Sequence, residues 1–159
     1  MTQVQDVSKF KMLTEHEHVI ARPARYVGSV NTIQKKDWVI IDGKVVEKEL
    51  NFNPAFMKIF DEIITNSADH SRRAEGKHLK PIQVNVNRML GTISVYDDGG
   101  IPVVEHPENK LWIPDMIFGH LRSGSNFNDD DGSSDDLSGQ NGEGSSLTNI
   151  FSTEFIVET

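Results

Sequence analysis

The chain has 159 residues, one domain's worth, and its 36% hydrophobic and 8% aromatic side chains suffice for a single core. Its 24 Asp and Glu against 16 Lys and Arg give a net charge of −8, the wrong sign for a module that grips DNA by neutralising phosphates. The absence of cysteine excludes disulfides, thiolate ligands and a thiol nucleophile, and no apolar run reaches membrane-spanning length or forms a signal-peptide core, so an intracellular protein is expected.

An N-terminal arm runs to about Arg22, with His16 and His18 spaced for one face of a strand, a weak hint of a metal site. A small hairpin is expected across Trp38 to Val46, where Asp42-Gly43 is a turn signal between β-rich flanks. A helix follows, capped by Asn53, with Pro54 at its first position and Phe56, Ile59, Phe60 and Ile63 forming a buried stripe. On it Glu62, Asn66 and Asp69 stand at i, i+4 and i+7, so a carboxylate, a carboxamide and a second carboxylate share one face. After a polar loop over Arg72 to Pro81, Ile82 to Asn87 alternates strictly, turns at Arg88 to Gly91 and pairs with Thr92 to Tyr96. The second strand runs into Asp97-Asp98-Gly99-Gly100. A short helix is entered through Pro114 and stopped near Gly119.

Ser123 to Ser138 is rich in Gly, Ser and Asp and reads as a mobile lid over a ligand, or as a linker. The most telling stretch is Gly139-Gln140-Asn141-Gly142-Glu143-Gly144-Ser145-Ser146, which runs into a helix starting at Leu147. Three glycines there let backbone approach a ligand, and unpaired N–H groups at the helix start suit a polyphosphate. It is neither the dinucleotide fingerprint nor a Walker loop. Each of these segments also suits a plainer role, as a solvated helix face, an acidic turn or a flexible turn before a helix. Thr153 to Thr159 begins a strand, and the chain shows no internal repeat.

In order, these motifs resemble the ATPase domain of type II DNA topoisomerases, within the superfamily of gyrase, heat-shock chaperone, histidine kinase and mismatch-repair ATPases. The eukaryotic enzymes and the large subunit of T-even-type phage topoisomerases are most similar. The resemblance runs collinearly through Glu17 to Ser29, Phe60 to Asp69, Ile101 to His106, Ile117 to Leu121, Ser125-Asn126 and Gly139 to Thr159. It implies an α+β fold, a two-layer α/β sandwich with helices on one face of a mixed sheet, over a single incomplete domain spanning 1–159. Within it, 1–29 is the N-terminal arm and 123–138 the ATP lid.

The resemblance assigns Glu62 as the general base for the water that attacks the γ-phosphate, and Asn66 as the Mg²⁺ ligand. Asp97 accepts from the adenine amino group, Gly99 lets the purine approach the backbone, and Ile101 and Asp69 belong to the nucleotide site. Ser125 and Asn126 contact ribose or phosphate, and Arg73 lies near the nucleotide. Gln140, Asn141, Gly142, Glu143, Gly144 and Ser145 line the triphosphate. ATP and Mg²⁺ are thus the implied ligands. A second copy of the domain is the implied partner, joined through an arm that includes Tyr26, with the remaining topoisomerase domains handling DNA.

Three departures from the family pattern stand out. The adenine motif is one residue short, which leaves Asp98 as the alternative to Asp97; Asp97 keeps the Asp-x-Gly spacing. Ser146 replaces a lysine of the eukaryotic enzymes, and His70 replaces a polar or acidic residue. The family's transducer lysine and cleavage tyrosine have no counterpart, so a truncated or split enzyme, poorly active alone, is expected. The alternative is a non-enzymatic nucleotide-binding or interaction module.

Overall fold

A computed structural model describes residues 7–72, 80–124 and 141–159. The first element is a helix, α1 (Glu15–Ala21), within the expected N-terminal arm. Its start is a reciprocal capping box: the Thr14 hydroxyl accepts from the Glu17 N–H at 3.3 Å, while the Glu17 carboxylate accepts from the Thr14 N–H at 2.8 Å. His16 and His18 therefore lie on a helix, where residues two apart point to different sides. The strand-based pairing of these histidines is thereby withdrawn. A 3-10 turn, Pro23–Arg25, then leads to Val27.

Strands β1 (Ile33–Ile41) and β2 (Lys44–Phe52) form an antiparallel hairpin, longer than the sequence signal suggested, with Ile33 opposite Phe52 and Ile41 opposite Lys44. Asp42 and Gly43 both have positive φ, 51° and 74°, the turn whose twist matches that of paired strands. Helix α2 (Pro54–Arg72) begins as expected, with the Asn53 side-chain oxygen accepting from the Phe56 N–H at 3.0 Å. Strands β3 (Gln83–Asn87) and β4 (Thr92–Tyr96) form a second antiparallel hairpin. Helices α3 (Ile113–Gly119) and α4 (Gly144–Ile150) complete the described chain.

Three expectations change at this level. Among the described residues the strands form two separate two-stranded antiparallel sheets, not one mixed sheet. Thr153 to Thr159 forms no strand; it is tied back where the Thr159 hydroxyl accepts from the Ile101 N–H at 2.7 Å. The apolar stripe on α2 is also shifted. Phe56 is 53% exposed, and the buried α2 residues are Ala55, Ser67 and Asp69. The reason is that α2 packs against α4, where Gly144 lies on Glu62 and the Thr148 hydroxyl reaches the Ile59 carbonyl.

The core gathers where α1, α2 and α4 meet. Val19, Val27, Ala55 and Leu147 are buried, with Tyr26, Ile59, Leu121, Ile150 and Phe151 packed around them. Polar groups fasten the helices there. Thr148 donates its hydroxyl to the Ile59 carbonyl at 2.9 Å, joining α4 to α2. Ser145, Asn149 and Ser146 donate to the carbonyls of Ile117, Phe118 and His120 at 3.1, 3.0 and 2.7 Å. The Ile117 and Phe118 carbonyls lie in the last turn of α3, where a helix offers no donor of its own, so α4 supplies them; the His120 carbonyl just beyond also accepts from the Ser123 hydroxyl at 2.7 Å.

Candidate nucleotide site

Ala55, Ile59, Glu62, Asn66 and Asp69 fall at intervals of three or four along α2, so the face that carries the acids is the one turned to α4. Glu62 sits in its middle with 19% of its side chain exposed, in an ion pair with Lys58 one turn earlier. Its carboxylate lies directly against the backbone of Gly144. A Cβ added to Gly144 would fall onto the Glu62 carboxylate and within 2.9 Å of the Glu62 Cβ. Glycine is required here by approach, because any side chain would displace the acid.

Asn66 follows one turn later and is half-buried. Asp69 is 2% exposed, with the Arg72 guanidinium 3.8 Å from its Oδ1. At the end of the helix the His70 imidazole lies over Gly99, where an added Cβ would strike its Nε2 and Cδ2 edge and stand 2.8 Å from Asp97 Oδ1. Asp97 Oδ1 accepts from the Gly99 N–H at 3.0 Å, whereas Asp98 Oδ1 accepts from the Lys80 N–H at 2.6 Å. One helix therefore carries both a carboxylate facing a glycine loop and a ring facing the chain that leaves β4.

The glycine loop is fixed at its base by the Ser123 N–H, which donates to the Gly142 carbonyl at 3.1 Å. Gly142 has φ 60°. Asn141 is exposed, and Glu143 lies 3.8 Å from Arg122 Nε, while Arg122 Nη1 bonds Glu15 at 2.8 Å. Ser145 and Ser146 are 6% and 1% exposed, and their hydroxyls are committed to the Ile117 and His120 carbonyls. With its hydroxyl so committed, Ser145 presents its backbone to the loop. The side chain of residue 146 likewise points into the packed interior, away from the loop's open side. Ile101 is held by Thr159, and Tyr26 bonds His18 Nδ1 at 2.8 Å within the chain itself. Arg73, Ser125, Asn126, Gln140 and most of the expected lid at 123–138 lie outside the described residues.

Sequence reasoning passed over Lys58, although its i, i+4 spacing to Glu62 is the ordinary signal of a helix ion pair. It noted His70 only as a departure. No local signal places that ring over Gly99, because the contact depends on how the end of α2 meets the segment after β4.

A helix bearing an acid and an amide, a glycine loop closing on that acid, and antiparallel hairpins beside them make this an α+β, two-layer ATPase fold of the gyrase, chaperone and histidine kinase type. No protein-family model matches the chain. The chain is 40% identical over 151 residues to DNA topoisomerase 2 of Pisum sativum, covering 94% of this chain and 10% of that protein. With DNA topoisomerase 2 of Saccharomyces cerevisiae it is 42% identical over 154 residues, covering 95% and 10%. The crystal structure of the ATPase region of Saccharomyces cerevisiae topoisomerase II superposes with a TM-score of 0.81 at 39% identity, over 91% of this chain and 38% of that one. The ATPase and transducer domains of the Balamuthia mandrillaris enzyme give the same TM-score and identity over 90% and 36%. By sequence and by fold the chain belongs with the ATPase region of type II DNA topoisomerases, matching its N-terminal portion. It spans about a tenth of the length of the curated relatives.

Proposed function

We propose that this chain is the ATP-binding and hydrolysing portion of a type II DNA topoisomerase, in which nucleotide binding closes a dimer for DNA strand passage. The observation that carries this reading is the seating of Gly144 on the Glu62 carboxylate. A general base must lie beside the phosphate cradle it serves, and only a glycine allows that approach. In this reading Glu62 orients and deprotonates the attacking water after leaving Lys58. The backbone of Asn141, Gly142, Glu143, Gly144 and Ser145 holds the triphosphate. Gln140, Ser125, Asn126 and Arg73 are proposed to complete the phosphate and ribose contacts.

At the other end of α2, Asp97 is the adenine acceptor. Asp98 is the weaker candidate because its carboxylate already holds the Lys80 N–H. Gly99 and Ile101 form the base-facing backbone, and Asp69 supports them from the buried side of α2. The donor set also fits magnesium: among the described residues no group of three or more His, Cys, Asp or Glu is gathered, and a single amide such as Asn66 suits an ion that takes its other ligands from water and phosphate. Bound there, the ion would neutralise charge on the phosphate oxygens. Exposed Val7, Phe10 and Met12 in the arm, 70%, 75% and 99% exposed, support a partner copy covering residues 1–29.

Titration calorimetry of the chain with Mg·ATP and Mg·GTP tests the reading. ATP is expected to bind in preference, and Asp97→Ala to abolish the preference. Equal binding of both nucleotides by the parent chain would sink the adenine assignment, and loss of binding in Asp98→Ala alone would move it by one residue.

A further inference from the structure

Outside the assigned residues, the half-buried imidazole of His70 lies against Gly99 of the candidate site. Its Nε2 and Cδ2 edge and the Asp97 carboxylate close over Gly99 so tightly that an added Cβ would strike both. The two groups do not bond each other. The His70 side chain makes no hydrogen bond to a described residue, and Asp97 uses Oδ1 on its own turn, for the Gly99 N–H at 3.0 Å. A ring nitrogen and a carboxylate oxygen thus lie side by side over a glycine backbone, the imidazole edge itself occupying the place a side chain would take.

We propose that His70 is a specificity-determining residue that reads the purine together with Asp97, a proposal that rests on the nucleotide reading above. Adenine presents on one edge a donor, the 6-amino group, next to an acceptor, the ring N1. Asp97 accepts from the first. In the tautomer that carries its proton on Nε2, His70 donates to the second. Guanine reverses both groups, setting O6 against the carboxylate and N1–H against the imidazole N–H. Two matched bonds become two mismatches, and a site built around polar partners rejects the analogue that leaves them unpaired. His70 is placed for this by helix geometry: it follows Asp69, whose burial fixes the rotation of the last turn of α2.

The test compares Mg·ATP and Mg·GTP binding by calorimetry for the parent chain and for His70→Ala, His70→Phe and His70→Gln, with thermal melts to establish that each variant is folded. Loss of one buried hydrogen bond predicts that His70→Ala and His70→Phe bind ATP about tenfold more weakly and lose about tenfold in ATP-over-GTP preference. His70→Gln, whose amide N–H reaches the Nε2 position, is expected to restore most of both. Parental preference in His70→Phe would overturn the proposal, showing that ring shape and not donation matters. Parental or tighter ATP binding in His70→Ala would also overturn it, marking the ring as an obstacle. If the parent chain binds neither nucleotide, the nucleotide reading itself fails and takes this proposal with it; a parent that binds ATP alongside unaffected variants defeats the proposal alone.

Discussion

Two glycines show that the same residue type can be required for opposite reasons. Gly43 has nothing near its missing side chain but holds φ at 74°, so Gly43→Ala is opposed only by its left-handed backbone, at about 1 kcal/mol. Gly144 is crowded, its absent Cβ falling on Glu62. Gly144→Ala is therefore expected to cost about 1–3 kcal/mol through overpacking and also to weaken ATP binding, whereas Gly43→Ala should leave binding intact. Urea melts paired with nucleotide titration separate the two. Parental binding in Gly144→Ala would show that Glu62 swings aside freely and that the cradle and the acid are not closely fitted. The acid itself has a sharper signature, measurable in the whole enzyme. Glu62→Ala should retain ATP binding and lose about 10²–10⁴ in hydrolysis rate, since the carboxylate acts on water and not on the bound nucleotide.

At the scale of elements, α1 and the β1–β2 hairpin each lean on an exposed carboxylate held below its ordinary range. Glu17 is lowered from 4.5, first by the Thr14 N–H and then by the Thr14 hydroxyl. Asp37 is lowered from 3.8, first by the Lys35 side chain and then by the Trp38 N–H. Both groups bind protons more weakly in the folded chain than in the unfolded one. Their contribution is therefore complete above these ordinary values and declines as pH falls through them. Denaturation midpoints measured from pH 6 to pH 3 should fall more gently in Thr14→Ala than in the parent, because that variant lacks the hydroxyl that favours the ionised Glu17. Identical pH slopes would show that the capping box does not hold in solution. The box was open to a sequence reading, since Thr14 and Glu17 have its spacing, yet a seven-residue helix offers too little periodicity to stand out. By contrast α2 and both hairpins were legible, because Asn53-Pro54 and Asp42-Gly43 are local signals whose chemistry acts within a turn. The seating of Gly144 on Glu62 and of His70 over Gly99 was not legible, because packing between distant segments decides it.

For the molecule as a whole, α4 is the keystone. Leu147 is 3% exposed in the core shared with α1 and α2, and the neighbouring Thr148 fastens α2 directly. Leu147→Ala is expected to destabilise the chain by about 2–5 kcal/mol and to weaken ATP binding even where the variant remains folded. Denaturation and titration on one sample check this, and unaltered binding would uncouple the core from the cradle. The joint between these helices also has a kinetic meaning. Thr148 and Ile59 are 89 positions apart, whereas the β1–β2 turn closes between residues that are neighbours in the chain. Hairpins form in about 1–10 μs, while distant contacts wait on the entropy of closing a long loop. The candidate site is assembled from the slow kind of contact, so a refolding chain regains its hairpins first and its capacity for nucleotide last.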